Sequence, residues 1–157
     1  MPKPPHRLEL YEAAVQEPLA EVALLDRIYR RGRRSADPPM LLREDFAGAG
    51  ALSQAWAMSD PDRQAMAVDH HGPTVRWGDR RRAHEDVHRV VGDVLETSGP
   101  KVDLVAALNF SAFVFHRRQD MVRYLRACRR RLRPRGVVVM DLFGGPGARR
   151  VQTQTRR

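Results

Sequence analysis

Five short apolar runs with no hairpin turn between them constrain this chain more than any other feature. They fall at residues 40–45, 65–68, 87–91, 102–108 and 137–142, and the segments between them are too long for tight hairpins. VDLVAAL at 102–108 is the kind of apolar run that a strand buried on both faces requires. Strand and helix alternate along the chain, so the expected fold is α/β. A doubly wound parallel sheet with right-handed crossovers lies between two helical layers, a three-layer αβα arrangement.

The helical segments are read from their period. Between residues 8 and 31, Leu10, Ala13, Ala14, Leu19, Val22, Leu25 and Ile28 recur mostly at three- and four-residue spacing, giving one or two amphipathic helices interrupted near Pro18. GRRSADPP at 32–39 is a breaker-rich loop. Residues 51–58 form a helix that Asp60 and Pro61 end, and a short helix runs through Val75 and Trp77. Met121, Tyr124, Leu125, Cys128 and Leu132 share one face of another, closed by Pro134, Arg135 and Gly136. The chain divides into an N-terminal helical segment and loop (1–39), a core (40–147) and a polar, flexible tail (148–157).

Composition removes several function classes. No stretch reaches the roughly 18 apolar residues of a membrane span, and MPKPPHRLEL lacks the apolar run of a secretory signal. Cys128 is the single cysteine, which excludes an internal disulfide and a multi-cysteine metal site and fits a reducing, cytoplasmic setting. The net charge is +9, and only Lys3 and Lys101 among the basic residues are lysines. Abundant Arg with little Lys, Ile or Asn reads largely as the coding bias of a GC-rich genome. Nucleic acid is thus a permitted but unfavoured partner, since no nucleic-acid motif accompanies the charge.

In a sheet of this class the ligand lies at the carboxyl ends of the strands, where strand order reverses. The first strand runs into EDFAGAG, whose Gly48 and Gly50 permit a tight turn and close approach to a ligand. Asp69 ends the second strand about twenty residues later, the distance at which a carboxylate accepts hydrogen bonds from a ribose diol. Asp93 follows the third strand, placed for an exocyclic amine, and Asn109 and Phe110 follow the fourth, where a reacting group would lie.

These strand ends resemble the motifs of the class I S-adenosylmethionine-dependent methyltransferases, from about Tyr11 to Gly147. EDFAGAG is similar to the first motif, with Glu44 in the acid position, Phe46 where the first glycine usually stands, and Gly48 and Gly50 matching the other two. AMAVDHH resembles the second motif, GDVLE the third, VDLVAALNFSAF the fourth, and LRPRGVVVMDLFGG the Pro-x-Gly turn and fifth strand. LREDFxGxGxLS with ALNFS and DLFGGP is closer still to a bacterial subgroup of the family.

The resemblance implies a Rossmann-like sheet of order 3-2-1-4-5 with S-adenosylmethionine as cofactor. Glu44, Gly48 and Gly50 would hold its methionine part, with Phe46 beside them. Asp69 and the adjacent His70 would take the ribose, Asp93 and Val94 the adenine, and Asn109 and Phe110 would border the transfer site. No residue announces itself as general base, so the methyl acceptor is not readable. A full domain of this fold has seven strands, and GARRVQTQTRR after the fifth cannot supply two more. The last two strands are thus expected to be missing, in a truncated or reduced chain whose exposed fifth strand could pair into a dimer.

Other residues read more plainly. HEDVH at 84–88 matches the HExxH zinc pattern, but a strand-like run begins inside it and no third ligand follows, so no metal site is expected. His70 and His71 read as loop histidines. Phe110, Phe113 and Phe115 could wall a sulfonium, although at least one of Phe113 and Phe115 reads sooner as plain core packing. Cys128 reads as a small buried hydrophobe, and Arg129, Arg130 and Arg131 as the solvated end of a helix, where cations suit its dipole.

Overall fold

The computed structural model describes residues 4–31, 37–145, 147, 153 and 155. Most of the loop at 32–39 and of the tail at 148–157 therefore lies outside the described residues. Two helices open the fold, α1 (Arg7–Val15) and α2 (Pro18–Arg30). A capping box starts α1: the His6 side chain accepts from Leu8 N, and Glu9 reaches back to His6 N. Pro18 opens α2 in the first turn, where a missing N–H costs nothing, so the break expected near it separates two helices.

The remaining elements are β1 (Leu41–Asp45), α3 (Ala51–Met58), β2 (Gln64–Asp69), α4 (Gly72–Arg81), β3 (Val87–Val91), β4 (Val102–Ala107), α5 (Arg118–Arg131) and β5 (Leu132–Met140). All four strand pairings are parallel and the order is β3-β2-β1-β4-β5, as the strand-end motifs implied. The order reverses between β1 and β4, so the carboxyl ends of those strands open a crevice.

Each face of the sheet has its own core. On one, Val22 and Leu25 of α2 and Leu52 and Trp56 of α3 pack on Leu42, Ala65, Leu104 and Ala106. On the other, Tyr124 and Cys128 of α5 pack with Met66, Val68, Val105 and Ala107. Leu25 is fully buried. Burial of such a side chain contributes roughly 1.5–3 kcal/mol relative to exposure, which ties α2 to the sheet.

Three expectations need correcting. The crossover from β3 to β4 carries no helix: residues 92–101 run as turns and extended chain, so strand and helix do not alternate throughout. The helix expected to end at Pro134–Gly136 ends at Arg131, and β5 begins at once with Leu132, five residues early. Pro134 is accommodated because it lies on the edge strand of the sheet, beside an irregularity in register with β4 between Val102 and Leu104. Arg131 is half-buried. Its guanidinium turns inward and donates to the carbonyls of Leu95 and Thr97, at 2.9 and 3.1 Å, tying α5 to the helix-free crossover.

Candidate functional site

The crevice at the carboxyl ends is organised by the turn after β1. Phe46, Gly48 and Gly50 all have positive φ, at 61°, 57° and 73°. Left-handed backbone is cheap for glycine and costs about 1 kcal/mol or more for Phe46, so something must hold Phe46 there. Packing does so: its ring meets Phe115 edge-on at 5.9 Å and Tyr124 at 5.8 Å. Ala47 N donates to Val68 O and Gly50 N to Ala47 O, fixing the backbone on both sides of Gly48.

Asp69 links this turn to the next. One carboxylate oxygen accepts from Gly48 N at 2.8 Å and the other from His71 N at 2.8 Å. An ionised carboxylate has about four lone-pair sites, so two bonds leave acceptor capacity for a diol. His70, beside it, is exposed, with Nδ1 3.7 Å from Asp69 Oδ1. His71 closes its own loop through Nδ1 on the Thr74 hydroxyl.

Glu44 faces away from the crevice. It is buried, and one oxygen accepts both Ser53 N (2.9 Å) and Ser53 Oγ (2.6 Å), so it braces the start of α3 behind the turn. Burial outweighs these two bonds and pushes its pKa up to about 7. Asp45, also buried, accepts from Arg43 Nε and the Tyr124 hydroxyl beneath the turn. Burial raises the Cys128 thiol as well, which fits a packing role and not that of a nucleophile.

Two cavities meet at Phe46. A cavity of about 320 Å³ is lined by Phe46, His70, Asp93, Val94, Leu95 and Phe115, mostly apolar with carboxylate and imidazole at its rim. Val94 forms the buried wall, while the exposed Asp93 holds the turn through Leu95 N. A narrower one of about 70 Å³ lies between Phe46–Ala49, Thr74 and Asn109 on one side and Tyr11 and Glu12 of α1, with Gln16 just past its end, on the other. Together they form a trough across the strand-order reversal. A cavity of about 350 Å³ at the opposite, amino ends of the strands, near Met66, His88 and Gly99, does not touch the turn.

Several residues that shape the trough were not singled out from sequence. Gly78 of α4 is one: a Cβ there would stand 2.2 Å from Ala49 O. Arg89, its side chain 2% exposed, donates Nε to Ala49 O and covers Gly50 from β3. Asp141, just past β5, accepts Asn109 N at 2.9 Å and Phe110 N at 2.8 Å. Those two have φ of 57° and 58°, consecutive left-handed residues pinned by one carboxylate. Finally, α1 has no buried residue and is held over the trough by Glu12 bidentate on Arg82, Glu9 on Arg81, and His6 stacked on Trp77.

The other candidates are dispersed. Phe115 joins the core while Phe110 and Phe113 are exposed, and Phe110 tilts against Phe143 at 6.1 Å. The HEDVH segment is not helical: His84–Asp86 lie in the turn before β3 and Val87 starts the strand, so its histidines do not share a helical face.

Residues 46–140, more than half the chain, match a family model described as a methyltransferase domain. The chain belongs to this methyltransferase-domain family. Solved structures agree with that assignment at the level of fold. The sugar N-methyltransferase KedS8 from Streptoalloteichus sp. ATCC 53650 is 22% identical with a TM-score of 0.73, covering 94% of this chain and 57% of its own. CalS10, an amino pentose methyltransferase from Micromonospora echinaspora, is 18% identical (TM-score 0.72; 93% and 60%). DesVI from Streptomyces venezuelae is 16% identical (TM-score 0.75; 93% and 61%). The chain thus spans 57–61% of the length of these three structures. No curated protein matches its sequence. No helix among the described residues is long and apolar enough to cross a membrane.

Proposed function

We propose that the trough binds S-adenosylmethionine and that the protein transfers its methyl group to an acceptor. The observation that carries this reading is the pair of cavities that share Phe46, flanking the turn that Asp69 holds through Gly48 N, in a chain whose residues 46–140 match the methyltransferase family. The donor set fits the cofactor. Asp69 keeps lone pairs for the ribose hydroxyls, and the cavity of Val94, Leu95 and Phe115 suits an adenine ring, with Asp93 for its amine. Ala47–Ala49, Thr74, the α1 residues Tyr11 and Glu12, and Gln16 after them would enclose the methionine part. CalS10, of the same fold, was solved with S-adenosylmethionine bound.

When bound, the cofactor supplies a sulfonium methyl open to in-line displacement. The chain contributes position and exclusion of water: the Asp141-pinned backbone of Asn109 and Phe110 borders the transfer site, and α1 covers the methionine end. Glu44 acts from behind, fixing Ser53 and the entry to α3, and not by touching the ligand. A cytoplasmic bacterial setting suits a chain whose single cysteine is buried as a free thiol. The outer edge of β5 also offers a strand for pairing with a second copy, although Arg133 and Arg135 on it oppose that.

Calorimetric titration with S-adenosylhomocysteine tests the proposal. We expect one saturable site, weakened at least about tenfold by Asp69→Ala, as befits loss of charge-assisted hydrogen bonds. Unchanged affinity in a variant that still melts cooperatively would remove Asp69 from the site.

A further inference from the structure

The net charge of +9 is concentrated in one place. Residues 117–135 hold nine arginines against the single Asp120, and the rest of the chain is balanced to within one charge. Coding bias alone would spread arginine along the chain and does not account for this position. In the structure this stretch is α5 and the first part of β5.

At 100° per residue, Arg118, Arg123, Arg126, Arg129 and Arg130 fall within one 140° sector of α5. All five are exposed, and the only other residues in that sector are Gln119 and Val122, with no acid. Arg123 pairs with Glu96 at 2.5 Å. No ion pair or hydrogen bond to a described residue engages Arg118, Arg126, Arg129 or Arg130. Fourteen residues make the stripe about 21 Å long. Past its C-terminal end it runs into an open cavity of about 450 Å³ lined by Lys101, Arg129, Arg133 and Arg135 with Leu132, Pro134 and Gly136. In that group Arg133 meets Asp103 at 3.3 Å. The cavity lies at the amino ends of β4 and β5, away from the trough.

We infer that this face of α5 and the adjoining cavity bind the phosphate backbone of a nucleic acid. Four features favour that occupant. The surface is a row of cations on a rigid helix, with a length that matches several consecutive phosphates. Its cations are nearly all guanidinium, whose planar fork grips phosphate bidentately. Unpaired arginines lose no existing partner when they engage it. An anionic membrane is the poorer match, because interfacial helices insert an apolar face and that of α5, with Tyr124, Ala127 and Cys128, is already in the core. The stripe reads no sequence, since phosphate contacts orient a nucleic acid without specifying it.

The test uses the whole chain and a fluorescent 20-base-pair DNA duplex, followed by anisotropy as salt is raised from 50 to 200 mM. Five phosphate contacts, from Lys101, Arg118, Arg126, Arg129 and Arg130, predict a log–log salt slope of about −4.5 and a loss of roughly 500-fold over that range. Replacing Arg126, Arg129 and Arg130 together by Gln should bring the slope to about −2 and the loss to roughly 12-fold. S-adenosylhomocysteine titration and thermal melting of the same variant check that it folds, and neither should change. Absence of saturable duplex binding, an unchanged slope in the folded triple variant, or tighter binding to vesicles containing phosphatidylserine than to the duplex would each overturn the inference. None of these outcomes depends on methyl transfer.

Discussion

Gly78→Ala is a small change to the sequence with a large expected effect on the trough. The added Cβ would stand 2.2 Å from Ala49 O, 2.9 Å from its carbonyl carbon and 3.0 Å from its Cα. All three are backbone atoms, so no side chain can rotate away. Helix and turn must separate by about 0.8 Å to bring the shortest contact out to 3.0 Å. The turn cannot yield cheaply, because Gly48 N is fixed on Asp69, Ala47 N on Val68 O, and Ala49 O on Arg89. Overpacking of this kind costs about 1–3 kcal/mol, from which replacing glycine in a helix returns up to about 1 kcal/mol. A net loss of about 1–2 kcal/mol lowers Tm by roughly 2–8 °C in a chain of this size. The displaced turn also forms a wall of the narrower cavity, which the proposed function assigns to the methionine part, so S-adenosylhomocysteine affinity should fall by at least about tenfold. Calorimetric melting and ligand titration read the two effects separately. Gly144→Ala, with no atom within 4 Å of the new Cβ, is the matched control and should be neutral. Parental Tm and parental affinity in Gly78→Ala would refute the close packing of α4 on the turn.

Other perturbations act through single groups. Glu44 has a folded-state pKa raised from 4.5 to about 7, so folding takes up a proton between those values and stability falls as pH rises from about 4.5 through 7. The drop attributable to it is on the order of 3 kcal/mol, and Glu44→Gln should flatten the pH dependence of denaturant unfolding in that window. A slope identical in the two proteins would show that Glu44 does not titrate there. Asp141→Ala strands two left-handed residues without their acceptor and should cost about 1–3 kcal/mol in chemical denaturation, with weaker ligand binding. Parental stability would mean that Asn109 and Phe110 hold themselves. Arg89→Met removes the clamp on Ala49 O and should lower ligand affinity more than Tm, and the reverse ranking would assign Arg89 to the core alone.

The order of the sheet was legible through the resemblance, whose motifs fall at or just past the carboxyl ends of successive strands, where Asp45, Asp69, Asp93 and Asn109 stand. The crevice was legible because strand ends converge in a parallel sheet whatever the crossovers do. Strand starts were less clear. LRPRG looks like a turn in sequence, yet β5 absorbs it, because a proline is tolerated on an edge strand. Glu44 looked like a ligand from its position in the motif, but strand alternation sends its side chain to the α3 face.

The α1 wall of the trough could not be read at all. Its attachment depends on pairs such as Glu12 with Arg82, seventy residues apart, and on a helix with no buried residue to give it a strong period. Gly78 and Asp141 did carry signals: a glycine inside a helix that costs about 1 kcal/mol has a packing reason, and Asp141 ends a strand as Asp69 does. The basic stripe was hidden by averaging, because a net charge taken over the whole chain says nothing of where it lies.

The central claim is that one cofactor occupies the trough at the carboxyl ends of the sheet. Backbone NMR of the labelled protein titrated with S-adenosylhomocysteine tests it most directly. The prediction is that amide shifts move at Gly48, Ala49, His70, Thr74, Gly92 and Leu95, along both cavities that meet at Phe46. Shifts confined to His88, Ser98 and Gly99, around the cavity at the amino ends, would contradict it.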